Sequence, residues 1–206
     1  DYTVDPEGSI SILDISGGVA NVSAANVTTA DFTAFNSQEA QLKSEGVRIF
    51  GPNATVAQDL EPEYITLSAD GATAYVTLQE NNALAIVDVN AGTVSDVLAL
   101  GYKDHSLPGN GLDAENENDS VRIANYPILG MYQPDAITSY STGGMEYLIT
   151  ANEGDARDYD GFSEEARLED EEVVLDSAAF PNGDRLKATI GRLKTTLSTG
   201  DTDGDG

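Results

Sequence analysis

Short stretches of the chain alternate between apolar and polar positions, with the period of two that is typical of a half-buried β-strand. The clearest is Ser9-Ile-Ser-Ile-Leu-Asp-Ile, residues 9–15, which ends at a Gly17-Gly18 turn. Further short strands are predicted at residues 19–29 and 47–50. The pattern predicts an all-β fold built from short strands.

One segment has a different pattern. Residues 37–45 are good helix formers, and we predict one short helix there. Ser37 is the predicted N-cap, because its side-chain oxygen can accept a hydrogen bond from a free backbone N–H. Gly46 is the predicted stop, because glycine readily adopts the left-handed conformation that ends helices.

Four strands then follow one another closely. The first two are joined by Ser68-Ala-Asp-Gly71, which is a tight hairpin signal. Four antiparallel strands within about forty residues match the length of one β-propeller blade. The predicted strands are residues 64–68, 73–79, 83–89 and 93–100.

The first half of this four-stranded unit occurs again. Pro62 precedes Tyr75 by the same spacing as Pro134 precedes Tyr147, and the second copy predicts strands at 135–140 and 145–151. A repeated pair of strands predicts a propeller of four-stranded antiparallel blades, with about three blades in this chain. We therefore expect residues 1–206 to form one partial propeller domain, an N-terminal fragment whose partner is the remainder of the propeller chain.

Two long acidic stretches, residues 103–130 and 154–189, interrupt the repeat. Insertions of this length in a compact domain are usually functional or flexible loops. Within the second, residues 164–172 are compatible with a helical turn or with disorder.

The order of the strands predicts which loops lie together. Successive strands of an antiparallel meander reverse direction, so every second loop emerges at the same end of the sheet. Residues before the first strand and after the second strand of each copy therefore share one face, together with the insertion at 103–130. Residues on this face that could bind a metal ion are Glu61, Glu63, Asp104, His105, Asp135, Glu153, Asp155 and Asp158.

The charge of the chain limits its partners. It has 36 acidic and 10 basic residues, a formal net charge of −26, and no cysteine. Nucleic acid is excluded as a partner, because phosphate binding depends on lysine and arginine. Membrane insertion is not expected, because no apolar run approaches the ~20 residues that cross a bilayer. Most of the carboxylates are expected to be ordinary solvated surface groups.

Carboxylates gathered on one face favour a hard divalent cation, with calcium as the expected cofactor. Other divalent metals remain open, although a transition metal would require more than the single histidine. The alternative is a polar rim in which Arg157 pairs with Asp155 or Asp158. Asp201, Asp203 and Asp205, followed by Gly206, also resemble the first half of a calcium-binding EF-hand loop, without its position-12 carboxylate.

Several strings resemble known families. Tyr75-Val-Thr-Leu followed by Asn82-Ala-Leu-Ala-Ile-Val-Asp-Val is similar to the YVTN-type repeats of surface-layer β-propellers. Other strings resemble the choice-of-anchor I proteins, which are related to mesenchyme-specific cell surface glycoproteins. These strings include Gly46-Val-Arg-Ile-Phe-Gly-Pro, Asp59-Leu-Glu-Pro-Glu-Tyr, Lys103-Asp-His-Ser-Leu-Pro-Gly-Asn-Gly-Leu-Asp and Thr150-Ala-Asn-Glu-Gly-Asp-Ala-Arg-Asp-Tyr.

The resemblance implies a secreted, periplasmic or cell-surface propeller whose chain continues past residue 206. We expect a module that binds divalent cations in an attachment or mineral-associated role. Bacterial members of the family are often labelled alkaline phosphatases, so a metal-dependent phosphoesterase is the alternative. In that case Asp104, His105 and Arg157 would be the catalytic candidates, with Arg157 holding the phosphate.

Overall fold

The computed structural model describes residues 5–117 and 119–199, and its regular structure is mainly β. The helices are α1 (Glu39–Glu45), α2 (Val56–Asp59) and α3 (Gly183–Ile190). The strands are β1 (Ser9–Leu13), β2 (Val27–Asp31), β3 (Pro62–Leu67), β4 (Thr73–Leu78), β5 (Ala83–Asp88), β6 (Thr93–Ala99), β7 (Tyr102–Asp104), β8 (Leu129–Met131), β9 (Pro134–Thr142), β10 (Met145–Asn152), β11 (Asp158–Tyr159), β12 (Phe162–Ser163), β13 (Glu165–Arg167) and β14 (Lys194–Thr196).

The chain divides into two compact units. The described part of the first, which we call the sheet unit, consists of residues 5–101 and 131–155. The described part of the second, which we call the insertion unit, consists of residues 102–117, 119–130 and 156–199. The insertion unit contains most of the two acidic stretches that interrupt the sequence repeat.

The sheet unit is built around one antiparallel meander in the order β3-β4-β5-β6. All four strands were predicted from the sequence, and the prediction is confirmed. The two inner strands are the most buried: Val76 and Leu78 on β4 and Val87 on β5 are inaccessible to solvent. The sequences of β4 and β5 are nearly continuous apolar runs, as expected for strands whose two faces are both covered.

An N-terminal layer completes the core of this unit. The hairpin β1–β2 contributes Ile10 and Ala30, and the segments around α1 and α2 contribute Phe35, Leu42 and Leu60. Burying a large aliphatic or aromatic side chain contributes about 1.5–3 kcal/mol, so this cluster is the main source of stability in the unit.

Helix α1 ends as predicted at Gly46, whose φ of 100° is left-handed. Its predicted N-cap is wrong: Gln38 precedes the helix without a side-chain cap, because a 3-10 helix over Thr33–Gln38 runs directly into α1. Helix α2 was not predicted, although Thr55 and Gln58 form a capping box at its start.

The second copy of the repeat forms the hairpin β9–β10, which contacts β3 and β4. The backbone N–H of Ser139 donates to Thr66 Oγ1 at 3.1 Å, and the hydroxyl of Tyr75 donates to Glu146 Oε2 at 3.0 Å. Ile137 is buried on the same side of the hairpin. The two copies of the repeated phrase are therefore neighbours in space.

Two further segments differ from the prediction. Residues 19–29 form two 3-10 turns before β2 begins at Val27. Residues 47–50 are not a strand, because their hydrogen bonds go to a turn and a side chain instead of a neighbouring strand. Arg48 N–H donates to the carbonyl of Asn81 at 3.0 Å, and Phe50 N–H donates to Asp59 Oδ1 at 3.2 Å.

In the insertion unit the strands form two-stranded pairs, β7 with β8, β11 with β12, and β13 with β14. The helical turn considered for residues 164–172 is replaced by strand β13 and following turns. Helix α3 was also unpredicted, so the expectation of one short helix is wrong. Among the described residues, no helix is long and apolar enough to span a membrane.

The described sheets match the predicted blades only in part. The first copy of the repeat forms a complete four-stranded sheet, and the second copy forms a two-stranded hairpin. The all-β class is thus confirmed in its coarse form, as a mainly β chain. The propeller arrangement stays a prediction.

Candidate functional site

The turn that follows β4 is polar and almost completely buried. Gln79, Glu80, Asn81 and Asn82 have exposed fractions of 2, 7, 0 and 0 %. Buried polar groups are costly unless they are hydrogen-bonded. The partners of this turn therefore show what holds this end of the sheet together.

Asn81 ties the turn to the segments that lead into β3. Its Nδ2 donates to the carbonyls of Arg48 at 2.7 Å and Asp59 at 2.9 Å, and to Asp59 Oδ2 at 2.9 Å. Its Oδ1 accepts from the N–H of Glu61 at 3.3 Å. One asparagine thus joins its own turn to two other stretches of chain, one around Arg48 and one at residues 59–61, which leads into Glu63.

Asn82 ties the same turn to the second copy of the repeat. Its Oδ1 accepts from the N–H groups of Tyr132 at 2.9 Å and Gln133 at 3.1 Å. The Gln133 carbonyl in turn accepts from the N–H of Glu153 at 3.2 Å. The predicted shared face is therefore confirmed within the sheet unit: the end of β4, the start of β9 and the end of β10 lie together.

Two residues of this network have left-handed backbones. Asn82 has a φ of 49° and Gln133 a φ of 41°. A buried non-glycine residue in this region carries backbone strain of order 1–3 kcal/mol. The surrounding hydrogen bonds hold both residues in this conformation. We call this hydrogen-bonded end of the sheet the platform.

Five carboxylates lie around this platform, and we call them the acidic cluster: Glu61, Glu63, Glu80, Asp135 and Asp155. Removal of its carboxyl from water raises the pKa of Glu63 to about 7, and the negative charges of Glu80, Asp135, Glu61 and Asp155 add to this shift. As a residue, Glu63 is still more than a third exposed, so solvent screens part of this repulsion. The raised pKa therefore reflects partial burial of Glu63 first and the negative charges of its neighbours second.

A bulge in β3 positions Glu63. The register between β3 and β4 shifts between Pro62 and Ile65, and the N–H of Tyr64 donates to the side-chain Thr77 Oγ1 at 3.0 Å. β-bulges commonly change the direction of side chains at the end of a strand.

Arg48 brings a positive charge to the same end of the sheet. It is buried, its guanidinium lies 4.3 Å from the centre of the Phe50 ring, and its Nη1 donates to the carbonyl of Glu80.

The cluster is not a preformed metal cage. Within residues 5–117 and 119–199, no three histidine, aspartate or glutamate side chains are close enough together to hold a metal ion as they stand. Glu63, Asp135 and Asp155 are exposed, whereas Glu80 is buried and Glu61 half-buried. Glu153, the remaining predicted ligand in the sheet unit, is also exposed.

Asp104 and His105 belong to the insertion unit, where local hydrogen bonds hold both. Hydrogen bonds from the hydroxyl and the N–H of Ser106 lower the pKa of Asp104. His105 Nδ1 lies 2.6 Å from the carbonyl of Asn110. A carbonyl can only accept, so Nδ1 carries the hydrogen and Nε2 is the nitrogen left for other chemistry.

Arg157 is also in the insertion unit, and its exposed fraction is 1 %. Its backbone N–H donates to Oε1 of Glu164, which is equally buried and whose Oε2 accepts from Thr196 at 2.7 Å and Ser198 at 2.9 Å. Such burial does not fit the predicted role of a phosphate clamp. Asp158 is exposed on β11. Asp201, Asp203 and Asp205 lie outside the described residues.

Sequence reasoning placed Glu80 on the shared face but did not propose it as a site residue. It also did not recognise Asn81, Asn82 and Gln133 as the scaffold of the cluster. A signal was present, because four consecutive polar residues directly follow the apolar strand β4. Such a run normally indicates an exposed turn, and only long-range hydrogen bonds show that this one is buried.

Comparison with known proteins identifies the family. The model of the choice-of-anchor I domain matches residues 1–206. The chain belongs to the choice-of-anchor I domain family. It is also 42 % identical over 106 residues to a mesenchyme-specific cell surface glycoprotein of Strongylocentrotus purpuratus.

That match covers 50 % of this choice-of-anchor I chain and only 13 % of the sea-urchin protein. No solved structure matches the chain significantly. The family and the cell-surface relative together indicate a surface or secreted location, as the sequence predicted.

Proposed function

We propose that this choice-of-anchor I chain is a module of a surface or secreted protein that binds divalent cations, calcium foremost, at the acidic cluster. The observation that carries the proposal is the gathering of five carboxylates at one end of the sheet, where burial and then the neighbouring negative charges raise the pKa of Glu63 to about 7. Carboxylates gathered at one place are stabilised by a divalent cation, which offsets two negative charges at once.

Calcium suits the cluster better than other common ions. It takes six to eight oxygen ligands in flexible geometry, whereas magnesium requires a near-ideal octahedron. The whole chain has one histidine and no cysteine, which disfavours zinc and copper. The exposed side chains of Glu63, Asp135 and Asp155 would have to turn toward the ion, since no preformed cage exists among the described residues.

This need for side-chain movement sets the expected affinity. Ordering several exposed carboxylates costs conformational entropy. We therefore expect a dissociation constant of roughly 10⁻⁴–10⁻³ M, the range of extracellular calcium modules. Such an affinity fits an attachment or mineral-associated role outside the cell, where calcium is abundant.

The propeller is the architecture we propose for the full protein. It is supported by the adjacent positions of the two repeat copies, in which β9 lies against β3 and the hairpin contacts β4. In this arrangement the four-stranded sheet is one blade, the hairpin β9–β10 begins the next, and the remainder of the propeller chain supplies further strands.

Calorimetric titration of CaCl₂ into chelator-treated protein tests the proposed cation site. We expect binding heat that is reduced at least threefold in a Glu63→Gln, Asp135→Asn double variant. The matched control is Glu7→Gln, which removes an exposed carboxylate outside the cluster. Absence of heat and of any change in melting temperature up to 10 mM CaCl₂ would refute the proposal.

No observation favours the phosphoesterase alternative. The arginine predicted to hold the phosphate is buried, and the ring of His105 is held by a loop carbonyl. We therefore propose the binding function alone.

A further inference from the structure

The insertion unit contains a cavity that has no part in the cation-binding proposal. It lies between helix α3, the loop before this helix, and residues 126–127. Its volume is about 450 Å³, within the range of pockets that hold small organic ligands. Most of its lining residues, among them Pro127, Ala179 and Arg185, are exposed, so a small molecule can enter it.

The walls of the cavity are mainly apolar and rich in rings. Tyr126 and Phe180 contribute aromatic side chains, Pro127 and Pro181 contribute pyrrolidine rings, and Leu186 contributes an aliphatic surface. Tyr126, Phe180 and Leu186 are half-buried. Flat apolar walls of this kind favour a planar ring, which stacks on or packs edge-on against aromatic side chains.

Polar hydrogen-bond donors lie at the same cavity. Arg185 and Asn182 line it from the first turn and the N-cap of α3, and Tyr126 adds a phenolic hydroxyl. Among the described residues, none of these three side chains forms a hydrogen bond or an ion pair with another protein group. The lining of the cavity therefore combines apolar walls with side chains that can donate hydrogen bonds.

Arg185 differs in this respect from its basic neighbours. Lys194 pairs with Glu165 at 2.6 Å, Arg192 pairs with Glu117 at 3.0 Å, and Lys187 donates to the carbonyl of Asp170 at 3.3 Å. Among the described residues, the Arg185 side chain has neither a carboxylate nor a carbonyl partner. Its charge is available to an anionic ligand.

We propose that this cavity binds a small aromatic carboxylic acid, with its ring between Tyr126 and Phe180 and its carboxylate on Arg185. The planar guanidinium can bind a carboxylate through two parallel hydrogen bonds. Asn182 and the Tyr126 hydroxyl supply further donors. The ring removes apolar surface from water while the carboxylate stays at the open side, so neither part is buried without compensation.

Binding of 4-phenylbutyrate to the whole chain tests this proposal by calorimetry and by ligand-observed saturation-transfer NMR. The neutral amide of the same acid measures the role of the charge, and hexanoate measures the role of the ring. We expect the amide and hexanoate each to bind at least fivefold more weakly than 4-phenylbutyrate. Equal binding of the acid and the amide would overturn the assignment of the carboxylate to Arg185.

Two variants locate the site. Arg185→Gln is expected to weaken the binding of 4-phenylbutyrate at least tenfold and to leave the affinity for the amide within twofold. The control is Arg122→Gln, an equal charge change at an exposed arginine of the same unit. It should leave the binding of both ligands unchanged. Ala179→Phe, introduced at an exposed wall residue, fills the cavity and abolishes binding of both. Binding that survives Ala179→Phe in a folded protein, verified by its melting temperature, would place the ligand elsewhere and refute the proposal.

Discussion

Replacing Glu63 by glutamine should stabilise the protein at neutral and alkaline pH, although it removes a charged surface residue. The change leaves the size of the side chain nearly the same and removes its ability to ionise. The pKa of Glu63 is raised from 4.5 to about 7 by partial removal from water and by the neighbouring carboxylates Glu80, Asp135, Glu61 and Asp155.

The sign of the effect follows from linkage. A raised pKa in the folded state means that folding favours the protonated carboxyl. Below pH 4.5, Glu63 is protonated in both the folded and the unfolded state and carries no penalty. Between pH 4.5 and about 7 the penalty for its charged form grows, and above pH 7 it is fully present.

The magnitude is limited by solvent. A rise of this size in the pKa of a fully buried group would correspond to about 3 kcal/mol of unfolding free energy. Because Glu63 is more than a third exposed, screening reduces the expected gain to about 1 kcal/mol. For a chain of this size that corresponds to a rise in melting temperature of roughly 2–4 °C.

Urea denaturation of the wild type and Glu63→Gln at pH 4, 6 and 8 measures this effect, with Glu7→Gln as the matched control. We expect no difference at pH 4, a gain at pH 8, and a smaller gain when 0.5 M NaCl is added. The reasoning would be refuted if Glu63→Gln destabilised the protein at pH 8, or if its effect were the same at all three pH values.

Of the three remaining predictions, the first concerns the scaffold of the acidic cluster, the second the insertion unit and the third the cation. Asn81→Ala removes the hydrogen bonds to Arg48 and Asp59. It should lower the free energy of unfolding, measured by urea denaturation, by about 2–4 kcal/mol. A loss below about 0.5 kcal/mol would contradict this reasoning. At Gly130 a Cβ would lie 2.6 Å from His105 Nε2, so Gly130→Ala should lower the melting temperature, and His105→Ala should relieve that loss in the double variant. Calcium at 5 mM should raise the melting temperature of the wild type more than that of Glu63→Gln, as measured by calorimetry.

The strands β3 to β6 could be predicted because local signals agree there. Each strand has an apolar pattern, and the turns between them contain residues such as Asp70 and Gly71 that favour tight reversals. The antiparallel order then determines that Glu61, Glu80 and Asp135 emerge at one end of the sheet. This inference requires only that successive strands reverse direction.

The failures have long-range causes. Residues 47–50 have the composition of a strand, yet the N–H of Arg48 donates to the distant Asn81 and that of Phe50 to the side chain of Asp59 instead of to a neighbouring strand. Helix α3 follows Asn182, a residue type that favours N-caps, but it begins at Gly183, a poor helix former, so its local signals conflict. The cavity beside it depends on Tyr126, which a linear pattern cannot bring next to Arg185.

The sequence by itself determined the mainly β class, the four-stranded unit, the repeat and the acidic character of the end where the loops meet. These properties depend on the period of apolar residues and on the alternating direction of strands, which are local or nearly local. Only the tertiary structure decided that Glu80 is buried, that Glu63 holds its proton up to neutral pH, and that Arg185 lies at an apolar cavity. Burial, pKa and cavity shape depend on distances between residues far apart in the chain, and those distances exist only after folding.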